Sequence, residues 1–91
     1  MMQNTSIGDV LITGGQIKAA RAMLGWSAQE TGIRSGLSLP TLQRLEQHDG
    51  LPRGRASTLA AVRRTFEEAG VEFVGSAEEG PGVRLWRKPE G

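Results

Sequence analysis

The decapeptide SLPTLQRLEQ, residues 38–47, holds the side chains best suited to chemistry. Wound as a helix at about 100° per residue, it sends Leu42 and Leu45 one way and Pro40, Gln43, Arg44 and Gln47 the other, with Leu39 and Thr41 on the flanks. Arginine carries a fork of donors that fits O6 and N7 of guanine, glutamine matches N6 and N7 of adenine, and the methyl of a threonine packs on that of thymine. Reading base edges is therefore one thing this face could do. Being wetted is the other, because any amphipathic surface helix shows polar groups opposite its leucines. Taken alone, the decapeptide fits the second description better.

Other chemistries find little support. The chain has no cysteine, so it offers no disulfide, no thiolate nucleophile and no cysteine-bound metal. His48 is the lone histidine and lacks the spaced partners a metal site requires. The adjacent carboxylates Glu67 and Glu68, and Glu78 and Glu79, have no base, nucleophile or metal to work with and read as solvated charge. No enzyme, cofactor or metal is expected. No apolar run approaches the roughly 18 residues of a membrane span, and the first residues lack the basic start of a secretory signal, so a cytoplasmic protein is expected.

Ninety-one residues suffice for one modest core. The net charge of +1 hides an asymmetry: Gln16–Arg64 holds eight basic against three acidic residues, Thr65–Gly91 three basic against six acidic. A basic body with an acidic end is compatible with a polyanion ligand.

The spacing predicts the elements that would hold the decapeptide. Residues 1–13 are polar and aperiodic, a flexible arm. A first helix follows, with Ile17, Ala20 and Leu24 as its buried stripe, Gly25 as its stop and Trp26 plugging the core; Lys18 and Arg21 fall on its surface. Ser27 with Glu30 forms the signature of a capping box for a second helix, which Gly36 would end. Ser38 caps the third helix, taken as 38–47, where Pro40 is tolerated in the first turn. HDGLPRGRA is a loop, and a fourth helix capped by Ser57 buries Leu59, Val62 and Phe66 before Gly70. VEFVG and GVRLWR then alternate as a β-hairpin, with Val71 and Phe73 on one face, Val83 and Leu85 on one face, and Trp86 opposite Leu85.

Two serine-capped helices joined by SGLS, a tight turn containing glycine, make a helix-turn-helix pattern and shift the balance toward a reading face. The stretch IKAARAMLGWSAQETGIRSGLSLPTLQRLEQ resembles the phage-repressor/Cro-type helix-turn-helix family, often called XRE-type regulators. The resemblance rests on ARAMLGWS, Gly36 and LSLPTLQRLE, and with STLAAVRRTFEEAGVEF it extends over residues 14–74. It implies a mainly α fold, a repressor-like domain of four to five helices over 14–70 that acts as a dimer; residues 71–91, read from their alternation, follow as a β-hairpin extension and tail that could serve dimerisation.

By the same resemblance, base contacts fall near Leu39, Pro40, Gln43 and Arg44. Phosphate or sugar contacts fall at Ser27, Ala28 and Gln29, at Ser38 and Thr41, and at Gln47. Arg53 and Arg55, in the following loop, are placed for phosphates on their charge alone. Ala28 stands where relatives often have a phosphate-binding glutamine, a contact Gln29 would have to supply. Thr31 stands where a core leucine is common, Gly32 where a small alanine lets the helices approach, and Ile33 where a polar residue is usual. This second helix is therefore expected to be weak, or turned about its axis to bury Ile33.

Two functions stay open. One is a sequence-specific regulator of transcription, a homodimer repressing by occupancy of double-stranded DNA. The other is an antitoxin whose acidic EEAGVEFVGSAEEG segment holds a partner toxin. The hairpin could pair with a second copy, pack on the fourth helix, or lay Arg84 and Arg87 along a DNA backbone as a wing; its acidic neighbours disfavour the wing.

Overall fold

The computed structural model describes residues 11–86. Most of the expected arm, residues 1–10, and the tail from Arg87 onward lie outside them. Four helices, α1 (Gly14–Leu24), α2 (Ala28–Ser35), α3 (Leu39–Leu45) and α4 (Ala56–Glu68), precede two antiparallel strands, β1 (Val71–Ser76) and β2 (Glu79–Leu85). No helix of the described residues is long and apolar enough to cross a membrane.

The core is built from the predicted stripes. Ile17 and Ala20 of α1, Leu42 and Leu45 of α3, and Leu59, Val62 and Phe66 of α4 meet Ile12 and Val71 in one buried cluster. Trp26 stacks on Phe66 with ring centroids 5.6 Å apart, and Phe73 meets the other side of Phe66 edge-on at 6.1 Å. The hairpin register sets Val71 opposite Leu85 and Phe73 opposite Val83, so the four apolar residues share the face that packs on the helices.

The last residues assigned to the arm are already held. Ile12 is buried, and Thr13 caps α1 in a reciprocal capping box with Gln16: Thr13 Oγ1 accepts from the Gln16 N–H, and Gln16 Oε1 from the Thr13 N–H, both at 2.9 Å. The Gln16 side-chain amide then donates to the carbonyls of Val74 (3.1 Å) and Gly82 (2.9 Å), tying both strands to the start of α1. The signature TGGQ for this box stands in the sequence.

Several boundaries differ from expectation. Ser27 Oγ does accept from the Glu30 N–H at 3.0 Å, but the box is half made, because the Glu30 carboxylate turns outward to Arg34 at 2.6 Å. The cap of α4 is Arg55, without a side-chain bond, and Ser57 lies inside the first turn. Helix α3 ends at Leu45 rather than Gln47, because the chain beyond it is drawn to α1. There the free N–H groups of Gly14 and Gly15 donate to the carbonyls of Gly50 (2.9 Å) and Asp49 (3.1 Å).

Helix α2 is not turned to bury Ile33, which is 70% exposed. Its phase is fixed by its neighbours instead. Thr31 is fully buried in the slot expected for a leucine, with its hydroxyl donating to the Ser27 carbonyl at 2.9 Å. Gly32 faces the turn, where its carbonyl accepts from the Leu37 N–H at 2.8 Å. With residues 31 and 32 inward, residue 33 points out. Gly36 closes the turn at φ +79°, a left-handed conformation that a side chain would strain.

A Cβ on Gly32 would lie 2.7 Å from the Leu37 carbonyl oxygen, which is backbone and cannot swing away. Replacing glycine by alanine inside a helix ordinarily gains about 1 kcal/mol. Here Gly32→Ala should instead lower stability, by about 1–2 kcal/mol in a urea titration, as overpacking overrides propensity.

Candidate functional site

Helix α3 is short, and three attachments hold it. Leu42 and Leu45 are buried beneath it, and the Gly36 turn joins its start to α2. At its other end Arg21, from α1, makes a two-pronged ion pair with Glu46: Nε to Oε2 at 2.7 Å and Nη2 to Oε1 at 2.8 Å. Arg21 Nη1 also donates to the Trp26 carbonyl at 3.1 Å. Arg21 is thus a clamp rather than the plain surface residue its sequence position suggested, and the Glu46 side chain is only 9% exposed. Lys18 likewise reaches Asp49 at 2.7 Å; that hydrogen bond, and then the lysine charge, hold the Asp49 carboxyl below the usual carboxylate range.

Held this way, α3 presents Leu39, Pro40, Gln43 and Arg44 outward, all exposed. Ser38 Oγ accepts from the Thr41 N–H at 3.2 Å and donates to Thr41 Oγ1 at 2.9 Å, so the two hydroxyls close the cap between them. Gln47 is exposed in the turn after the helix, with its N–H bonded to the Arg44 carbonyl at 3.3 Å.

Beside this face lies a depression of about 350 Å³ lined by Thr41, Arg44, Leu45, Arg53, Gly54, Arg55 and Thr58. It brings together four of the residues singled out in the sequence: Thr41, Arg44, Arg53 and Arg55. No carboxylate lines it, and among the described residues none of its three arginines makes an ion pair. The charge is reinforced locally. Arg55 sits at the N-terminus of α4, whose first turn holds no acidic residue, so the positive end of the helix dipole adds to the guanidiniums instead of being neutralised. Thr58 was not foreseen; only its spacing from Arg55, one turn along α4, could have pointed to it.

Ser27 and Gln29, at the start of α2, do not line this depression. Ser27 is engaged in its cap and Gln29 is exposed, while Ala28 packs partly against the core. A second hollow, of about 250 Å³, lies between Trp26, Arg34, Thr65, Glu68 and Ala69, with the Arg34 guanidinium 4.4 Å above the indole. It mixes both charges. Among the described residues no cluster of His, Asp and Glu could hold a metal ion.

No protein-family model matches the chain, and no curated protein matches it.

The Arg21–Glu46 pair invites a direct test. Arg21→Met leaves a nearly buried carboxylate unpaired and should cost about 2–4 kcal/mol in a urea titration. Glu46→Leu should cost a similar amount, and the double variant less than the sum of the two. Additive losses would mean that the pair is not coupled.

Proposed function

We propose that this protein is a sequence-specific double-stranded-DNA-binding regulator of transcription that inserts α3 in the major groove. In this reading α2, the Gly36 turn and α3 form a helix-turn-helix of the phage-repressor type, in agreement with the resemblance of residues 14–74. The observation that carries it is the carboxylate-free depression joining Arg44 on α3 to Arg53 and Arg55 beyond it. A face that was only wetted would be expected to mix its charges, as the helix surfaces bearing Glu30 with Arg34 and Arg63 with Glu67 do. Here three cations face solvent together, which suits a ligand that arrives with its own row of anions.

The roles then divide by chemistry. Arg44 reaches a guanine edge through its fork of donors, and Gln43 beside it meets an adenine edge or a backbone oxygen. Arg53, Arg55, Thr41 and Thr58 hold phosphates, which supplies affinity and register without sequence information. Ser27 and Gln29 make a second, weaker backbone contact at the start of α2. Regulation follows from occupancy: a bound site blocks the polymerase.

A homodimer on two half-sites about one helical turn apart fits the single short reading helix, which alone covers few base pairs. Trp86, 57% exposed with its Nε1–H donating to Glu72 at 2.9 Å, gives the hairpin an aromatic surface for a second copy. Trp86→Ala should shift the full chain toward monomer in sedimentation, with little change in the urea midpoint.

In-vitro selection from random duplexes tests the reading itself. Wild type should recover one preferred sequence. Arg44→Ala should lose preference at one guanine position, at a cost of about 1–3 kcal/mol, while Arg53→Ala should weaken all sequences alike and reduce the salt slope by about one unit. Equal weak binding to every duplex at ordinary ionic strength would refute it.

A further inference from the structure

The tip of α3 is the one part of this face with no polar side-chain atom to offer. Leu39 and Pro40 are both exposed, Leu39 at 39%, yet neither carries a side-chain donor or acceptor, and Pro40 has no backbone N–H. The nearest hydroxyls belong to the cap: Ser38 donates to Thr41 Oγ1, and the one hydroxyl hydrogen left over, that of Thr41, is the one assigned above to a phosphate. Beyond Leu39 and Pro40 come Gln43 and Arg44, and beside Arg44 the cationic depression. Carbon surface therefore sits at the leading end of a helix whose remaining exposed surface is polar or cationic.

Resting on the DNA-binding reading above, we propose that Leu39 and Pro40 are specificity-determining residues that read the 5-methyl group of thymine. In the major groove the thymine methyl is the apolar feature of a base-pair edge; every other distinguishing mark is a donor or an acceptor. A tip made of leucine and proline gains by covering that methyl. Set against the C4 amino group of a cytosine or the O6 of a guanine, it would instead bury a polar group without a partner. The charge of the neighbouring depression selects the ligand: three arginines without a carboxylate suit the polyanion that carries such methyls, and not an apolar protein surface.

The helix also sets the distance. Arg44 follows Leu39 by five helical steps, or roughly 7.5 Å along the axis at about 1.5 Å per residue. The methyl-bearing pair should therefore stand about two to three base pairs from the guanine read by Arg44, at a base step of about 3.4 Å.

The test uses the full chain and the duplex it selects, with each thymine in turn replaced by deoxyuridine, a change that removes only the methyl. One or two adjacent positions should lose affinity about fourfold, the worth of burying one methyl-sized group. These positions should lie at the stated distance from the guanine whose preference Arg44→Ala abolishes. Cytosine placed there should bind poorly and 5-methylcytosine should recover part of the loss. Leu39→Ala, at an exposed position, should fold normally by its urea midpoint and bind the thymine and uracil duplexes alike. A selected duplex indifferent to deoxyuridine throughout would overturn the methyl reading and leave DNA binding standing. So would a uracil effect that persists undiminished in both Leu39→Ala and Pro40→Ala. Failure to select any sequence would remove both.

Discussion

One guanidinium sets the geometry on which the rest depends. Arg21 grips both oxygens of Glu46 and the carbonyl of Trp26, so it joins α1, the turn before α2 and the far end of α3 at one point. Helix α3 has seven residues and would not persist alone in water. Two leucines beneath it supply burial, which is non-directional. The ion pair supplies direction, fixing where the helix ends and how the chain leaves it. Any function of the outer face, with Leu39 at one end and Arg44 at the other, inherits that placement.

The same economy explains the loop after α3. With Glu46 held, the next residues reach the start of α1, where the free N–H groups of Gly14 and Gly15 donate to the carbonyls of Gly50 and Asp49. Gly14 has no room for a side chain, since a Cβ there would collide with the His48 carbonyl. The backbone beyond is thereby anchored before it reaches Arg53 and Arg55. Arg44 comes to line one hollow with Arg53 and Arg55, across the loop that follows α3, because both ends of their connection are pinned, the second by the start of α4.

Much of this was legible in the sequence, and the exceptions have a common cause. Periodic apolar residues marked α1, α3 and α4, and alternation marked both strands, because burial on one face leaves a trace of fixed period; α2, which has no apolar stripe, was marked by its serine cap and its glycine stop. Stops at Gly25 and Gly36 were legible because only the left-handed backbone closes those turns. What the pattern could not show was the partner of a charged or polar side chain. Arg21 reads as surface by its place off the apolar stripe, and only the approach of Glu46 from a remote segment makes it structural. Ile33 reads as an apolar residue in search of a core, yet Gly32 against Leu37 and Thr31 in the interior had settled the phase of α2. Within the candidate site Arg44, Arg53 and Arg55 were visible as residues. Their convergence was not, for it depends on where the loop is tied.

Gln16 shows how two contacts can leave a position almost no choice. A capping box accepts either glutamine or glutamate, because only an acceptor is wanted there. The hairpin wants the opposite, a donor for the Val74 and Gly82 carbonyls. A carboxylate would satisfy the first demand and set a negative charge against two oxygens, and asparagine would be one methylene too short to serve both. Glutamine meets both demands, so the start of α1 and the hairpin that follows α4 are written into the same amide.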